Sequence, residues 1–204
     1  MKIYNYLFFL LFPISIYSCK GDDTTDFNIH ETYSLTTIIN YVPLEKFSTS
    51  TQVVFVNVDG LERYFELKYD DTNSDRPYVN DERYTTESYH ITYSGDSDDQ
   101  FYLDILVSSA YSRHTSGIQE YLTATLTTSA NNGYIPMISI DGNGQSFTMG
   151  NRLTLNGRSF DDVYQNLTPP ADVNSFHTIY YTTKDGIVGY HGEDGELWVL
   201  DRFE

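Results

Sequence analysis

The chain has 204 residues, with 29 Asp or Glu against 12 Lys or Arg and a formal net charge of −17. So acidic a balance excludes nucleic acid as the main partner, because affinity for a polyphosphate comes from the cations that neutralise it, and it excludes a polybasic hold on anionic lipid. It leaves room for calcium, cationic partners or plain solubility on a crowded surface, and the length suffices for one core without crosslinks.

The first informative stretch is Leu7 to Cys19, LFFLLFPISIYSC, which follows a short n-region carrying Lys2. Its apolar run is too short for a bilayer core of about 30 Å, and Pro13 would break a longer helix. It therefore reads as the apolar region of a signal peptide rather than a membrane span. The run ends in Ile16-Tyr17-Ser18-Cys19, and Cys19 is the only cysteine in the chain. These four residues resemble the lipobox of bacterial lipoproteins. The resemblance implies cleavage before Cys19, diacylglycerol on its sulfur and fatty acylation (palmitate) of the new N-terminus. The chemistry suits a thiolate, the best side-chain nucleophile near neutral pH, and two or more acyl chains hold a protein to a membrane stably where one does not.

Residues 1–18 are thus expected to be a leader and residues 19–30 an acidic tether. Lys20-Gly21-Asp22-Asp23-Thr24-Thr25-Asp26 has no apolar periodicity and nothing to bury. A lysine followed by acids resembles the export signal of surface lipoproteins of the Bacteroidota type, and Asp23-Thr24-Thr25 resembles the O-glycosylation site of that group. These resemblances imply a protein of the cell envelope, held on the outer membrane. Removing the leader takes away Lys2 and no acid, so the mature chain is more negative still.

Residues 31–204 read as a single antiparallel β domain, a meander-rich sandwich or a half-barrel. Periodicity is two almost throughout. Tyr33 to Val42 is expected to be the first strand. Thr51 to Val58 is apolar on both faces and reads as a central strand. Leu61, Arg63, Phe65, Leu67 and Tyr69 share one face of the next, with Glu62, Tyr64, Glu66 and Lys68 on the other. Tyr89 to Tyr93, Phe101 to Val107, Leu122 to Leu126, Ile135 to Ile140, Arg152 to Leu155 and Phe160 to Leu167 follow. Gly117 to Tyr121 is the one segment read as a short turn of helix. Phe176 to Thr182, Ile187 to Tyr190 and Glu196 to Leu200 complete the set, and within them Thr178 to Tyr181, Ile187 to Tyr190 and Leu197 to Leu200 make a three-stranded meander whose wording resembles the ending of uncharacterised Bacteroidota lipoproteins. Asp-Gly or Asn-Gly pairs at residues 59–60, 132–133, 141–142, 156–157, 185–186 and 194–195 supply turns that accept positive φ.

Residues able to carry chemistry are sparse. Asp71, Asn73, Asp75 and Glu82 stand at positions one, three, five and twelve of a calcium-loop pattern, although Arg76 takes the place of the glycine that makes the loop turn. His30, His90, His114, His177 and His191 show no metal-ligand spacing. No nucleophile elbow and no phosphate-cradling glycine loop occurs. Trp198 is either a sugar-stacking platform or core packing. The expectation is therefore a non-enzymatic envelope lipoprotein that binds an envelope protein or glycan, or scaffolds an assembly. Two alternatives stay open: a half-barrel carrier of lipid or lipoprotein, and a glycoside-active enzyme with a carboxylate pair.

Overall fold

The computed structural model describes residues 29–77, 83–95, 101–112, 117–128, 137–141, 152–166, 178–192 and 195–204. In chain order these form β1 (Ile29–Tyr33), a 3-10 turn (Ile38–Tyr41), α1 (Leu44–Thr49), β2 (Gln52–Val56), β3 (Glu62–Pro77), β4 (Arg83–Ser94), β5 (Phe101–Ser112) and β6 (Gly117–Thr128). There follow β7 (Met137–Asp141), β8 (Arg152–Leu155), β9 (Arg158–Asp161), β10 (Tyr164–Gln165), β11 (Ile179–Thr182), β12 (Gly186–His191) and β13 (Leu197–Phe203).

The protein is all-β. Its main sheet runs β10-β11-β12-β13-β2-β3-β4-β5-β6-β7, and every neighbouring pair in that path is antiparallel. The sheet curls until it is nearly closed, a half-barrel in which β11 returns against β6 and β7. Alternation explains which side faces in. Ile91 and Tyr93 on β4, Leu103, Ile105 and Val107 on β5, and Leu122, Ala124 and Leu126 on β6 are all fully buried. Each points to the same side of the sheet because a strand repeats every two residues.

β2 lies between β13 and β3, and Val53, Val54 and Phe55 are all buried, as its two-sided apolar wording requires. The meander β11-β12-β13 is also covered on both faces. The separate hairpin β8-β9 lies over its outer side, where Leu155 approaches Gly189 and Arg158 donates to the carbonyls of Leu200 (2.8 Å) and Asp201 (3.2 Å). The β8-β9 turn has Asn156 and Gly157 at φ 44° and 79°, the two successive positive values of a type I′ hairpin.

Two expected elements are corrected. Tyr33 to Val42 is not one strand: β1 ends at Tyr33, and the chain then winds through the 3-10 turn into α1. Leu35, Ile38, Val42 and Phe47 are buried, and the first three recur at helical rather than strand spacing. Gly117 to Tyr121 is strand, the start of β6, paired residue by residue with Ser108 to Ser112. β1 begins at Ile29, inside the range 19–30 expected to be a tether, and residues 19–28 lie outside the described residues.

α1 plugs one side of the half-barrel. The Phe47 ring stands edge-on to Tyr93 (centroids 6.1 Å, 83°) and packs on Phe203 (6.1 Å). A second aromatic group, Phe55, Phe65 and Tyr190, meets edge to face at 5.3–6.3 Å, the arrangement favoured by ring quadrupoles.

Candidate functional site

The long strand β3 separates two differently built ends of the molecule. Its 16 residues, at about 3.3 Å each, span at most about 50 Å. At one end the chain arrives from the N-terminus. At the other the β2-β3 turn projects.

At the arrival end β4 changes neighbours. Tyr89 to Ser94 pair with β5, whereas Arg83 to Thr86 accept β1 in parallel, with Ile29 opposite Arg83 and Tyr33 opposite Thr86. The β3-β4 hairpin thus parts from β5-β6 there, and polar side chains fill the divide. Ser109 donates to Thr86 (2.9 Å), Tyr84 and Thr86 are buried, and Arg76 Nη2 reaches Ser108 Oγ at 3.2 Å.

Glu120 of β6 is the centre of this end. Its Oε1 accepts from the Tyr33 hydroxyl (3.0 Å), the Thr36 amide (2.9 Å) and the Thr36 hydroxyl (3.0 Å). Its Oε2 accepts from the amides of Thr37 (2.8 Å) and Ile38 (2.6 Å). The carboxylate satisfies the amides that a short helical turn leaves without partners, and so fastens the arriving chain to the barrel wall. Burial pushes the Glu120 carboxyl up, but the amides of Ile38, Thr36 and Thr37 outweigh it and hold the group below its ordinary range. Burial, then the hydrogen bond to Glu120, raises the Tyr33 phenol.

At the opposite end Asn57 shapes the β2-β3 turn. Its Oδ1 accepts from the amides of Asp59 (3.1 Å) and Leu61 (2.8 Å), its Nδ2 donates to Glu196, and its own amide donates to the Leu61 carbonyl at 3.1 Å. Gly60 takes φ 79°, which glycine alone adopts freely. The turn carries Val58 and Leu61 outward, 75% and 61% exposed, beside exposed Asp59 and Glu62. Tyr64 stands next along β3, 44% exposed, its hydroxyl donated to Glu62. Behind the turn the Arg63 guanidinium lies 4.1 Å from the centre of the Trp198 ring. Trp198 itself is buried, so it packs the core and offers no open platform.

The sequence-derived candidates fall out as follows. Asp71, Asn73 and Asp75 lie within β3, opposite Tyr89, Glu87 and Thr85 of β4. They share a face but are spread along an extended strand, about 6–7 Å between successive members, where a loop would converge them to 2.3–2.6 Å from one ion. Asp75 accepts from Thr85 at 3.1 Å. Cys19 and Glu82 lie outside the described residues, as do the acidic run 96–99 and His114 and His177. Among the described residues no three His, Cys, Asp or Glu side chains gather as a metal site requires, and no helix is long and apolar enough to cross a membrane. Sequence reasoning missed Glu120. Its neighbours in the chain say nothing of the amides it meets more than eighty residues away.

No protein family, no curated protein and no solved structure matches this chain.

Proposed function

We propose that this protein is a lipoprotein of the bacterial cell envelope, held to the outer membrane through lipid on Cys19, and that it acts as a non-enzymatic binding or scaffold module. The observation that carries the proposal is the polarity of the domain. The chain coming from Cys19 is fastened at one end by β1 and Glu120, and the exposed Val58-Leu61 turn stands at the far end of β3. Ten residues from Cys19 to Ile29 reach at most about 35 Å when fully extended. A membrane anchor at Cys19 therefore holds the Glu120 end close to the bilayer and presents the turn away from it.

Two observations favour binding over the alternatives. The inward row of the half-barrel is filled by its own side chains, with Ile91, Leu103, Ile105, Leu122 and Ala124 fully buried, whereas a lipid carrier needs an open apolar hollow. Glu120 is the one buried carboxylate among the described residues, and its oxygens are taken up by the chain's own donors. A glycoside-active acid must instead be free to give a proton.

The test is processing in the living cell. An inhibitor of the type II signal peptidase should leave the full-length precursor uncleaved in the envelope, and Cys19→Ala should release the domain from the membrane fraction. Normal maturation under the inhibitor would sink the proposal.

A further inference from the structure

We infer that the β2-β3 turn is a docking knob for a protein partner that offers an apolar groove rimmed by Lys or Arg. The inference rests on the binding-module reading above and names the partner chemistry of that end of the molecule.

Scattered exposed apolar residues need no explanation, but two large ones within a four-residue turn otherwise made of Asp and Gly do. Val58 and Leu61 are also held in place. The Asn57 side chain accepts the amides of Asp59 and Leu61 and is itself tied to Glu196. A turn locked this way loses little freedom on binding, so its small apolar area goes into affinity rather than into ordering.

Charge selects the occupant. Asp59 stands between Val58 and Leu61, Glu62 follows them and is ion-paired to Arg202 at 2.9 Å, and the whole chain carries −17. A two-fold contact centred on the turn would set Asp59 against its own counterpart, a like-charge arrangement that costs energy. Anionic headgroups would be repelled in the same way, and the knob lies at the end of β3 opposite the arriving chain. A groove with a basic rim is complementary in both charge and apolarity.

The test places the photo-crosslinker p-benzoylphenylalanine at Tyr64, an exposed aromatic beside the turn, in the full chain expressed in its own cells. The result expected is an adduct with a protein whose crosslinked segment is apolar and flanked by Lys or Arg. That adduct should fall about tenfold or more in the Val58→Ser, Leu61→Ser double variant and weaken as salt rises. The double variant should keep the unfolding transition of the natural chain, because both residues are exposed. Absence of an adduct, an adduct with lipid or with a second copy, or a protein adduct indifferent to the double variant would each overturn the inference. Processing at Cys19 is read separately from crosslinking, so loss of the anchor and loss of the partner remain distinguishable.

Discussion

The Glu120 carboxylate lies 2.6 Å from the amide of Ile38, eighty-two residues earlier in the chain. That single contact joins the wall of the half-barrel to the segment by which the chain reaches it. Glu120→Gln keeps the shape of the side chain but turns an NH₂ toward donors that need an acceptor. Buried amides left unsatisfied and the loss of charge-assisted bonds together cost about 2–3 kcal/mol. The midpoint of urea unfolding should fall accordingly, with the slope unchanged. A variant as stable as the natural chain would show that the clamp does not hold the segment.

The same group sets an acid limit. Its folded pKa is lowered from the ordinary value of 4.5 by the amides of Ile38, Thr36 and Thr37, against the opposing effect of burial. A depressed carboxyl contributes stability above its unfolded pKa, and that contribution disappears as pH falls through the folded value. The difference in stability between the natural chain and Glu120→Gln should therefore be constant from pH 7 to pH 5 and shrink below about 4.5. Urea midpoints measured at each pH check this; a gap that persists unchanged to pH 2 would contradict it.

The antiparallel strands and their turns were legible in the sequence where pattern alone decides structure, while the choice between sandwich and half-barrel was not. The alternation of Phe65 and Leu67 with exposed partners, the two-sided burial of Val53 to Phe55, and the positive φ of Gly60, Gly157, Gly186 and Gly195 all follow from period and turn chemistry. Tyr33 to Val42 was not legible, because two signals compete there. Its β-branched and aromatic residues favour strand, while a distant carboxylate offers acceptors to three successive amides and bends the chain into a turn. The alternate Asp71, Asn73 and Asp75 likewise satisfy a loop pattern and a strand pattern equally well. What chooses the strand is the ladder with β4, visible only in three dimensions.

That choice makes a calcium prediction. Alternate residues on an extended strand cannot surround one ion at coordination distance. Isothermal titration of the full chain with calcium should give the same trace for the natural protein and for Asp71→Asn with Asp75→Asn. Heat lost in the double variant would mean that the segment ligates calcium after all.

Alkali should act through buried phenols. Burial raises Tyr93 far above its ordinary 10.0, and raises Tyr181, whose hydroxyl donates to the Tyr41 carbonyl at 2.5 Å. A group whose folded pKa is raised contributes stability below its unfolded pKa and loses it as pH rises beyond it. Stability should thus be flat to about pH 9.5 and fall above pH 10, with part of the tyrosinate absorbance appearing only as the chain unfolds. Full ionisation with the fold intact would place these rings in water.

Two glycines separate backbone strain from crowding. Gly60 and Gly186 have nearly the same positive φ, 79° and 75°, but a Cβ at Gly60 meets nothing within 4 Å, while one at Gly186 would lie 2.6 Å from Phe47 Cζ and 3.1 Å from the Tyr93 hydroxyl. Gly60→Ala should therefore cost only the left-handed penalty, about 1 kcal/mol. Gly186→Ala adds displacement of the Phe47 ring, which is wedged between Tyr93 and Phe203 and has nowhere to retreat. Overpacking of this kind brings the total to about 3 kcal/mol or more. The double variant Gly186→Ala with Phe47→Leu relieves the clash, so its cost should be smaller than the sum of the two single costs, a coupling that a double-mutant cycle in urea reads directly. Simple additivity would mean that α1 does not press on the β11-β12 turn, and the plug would have to be sought elsewhere in the barrel.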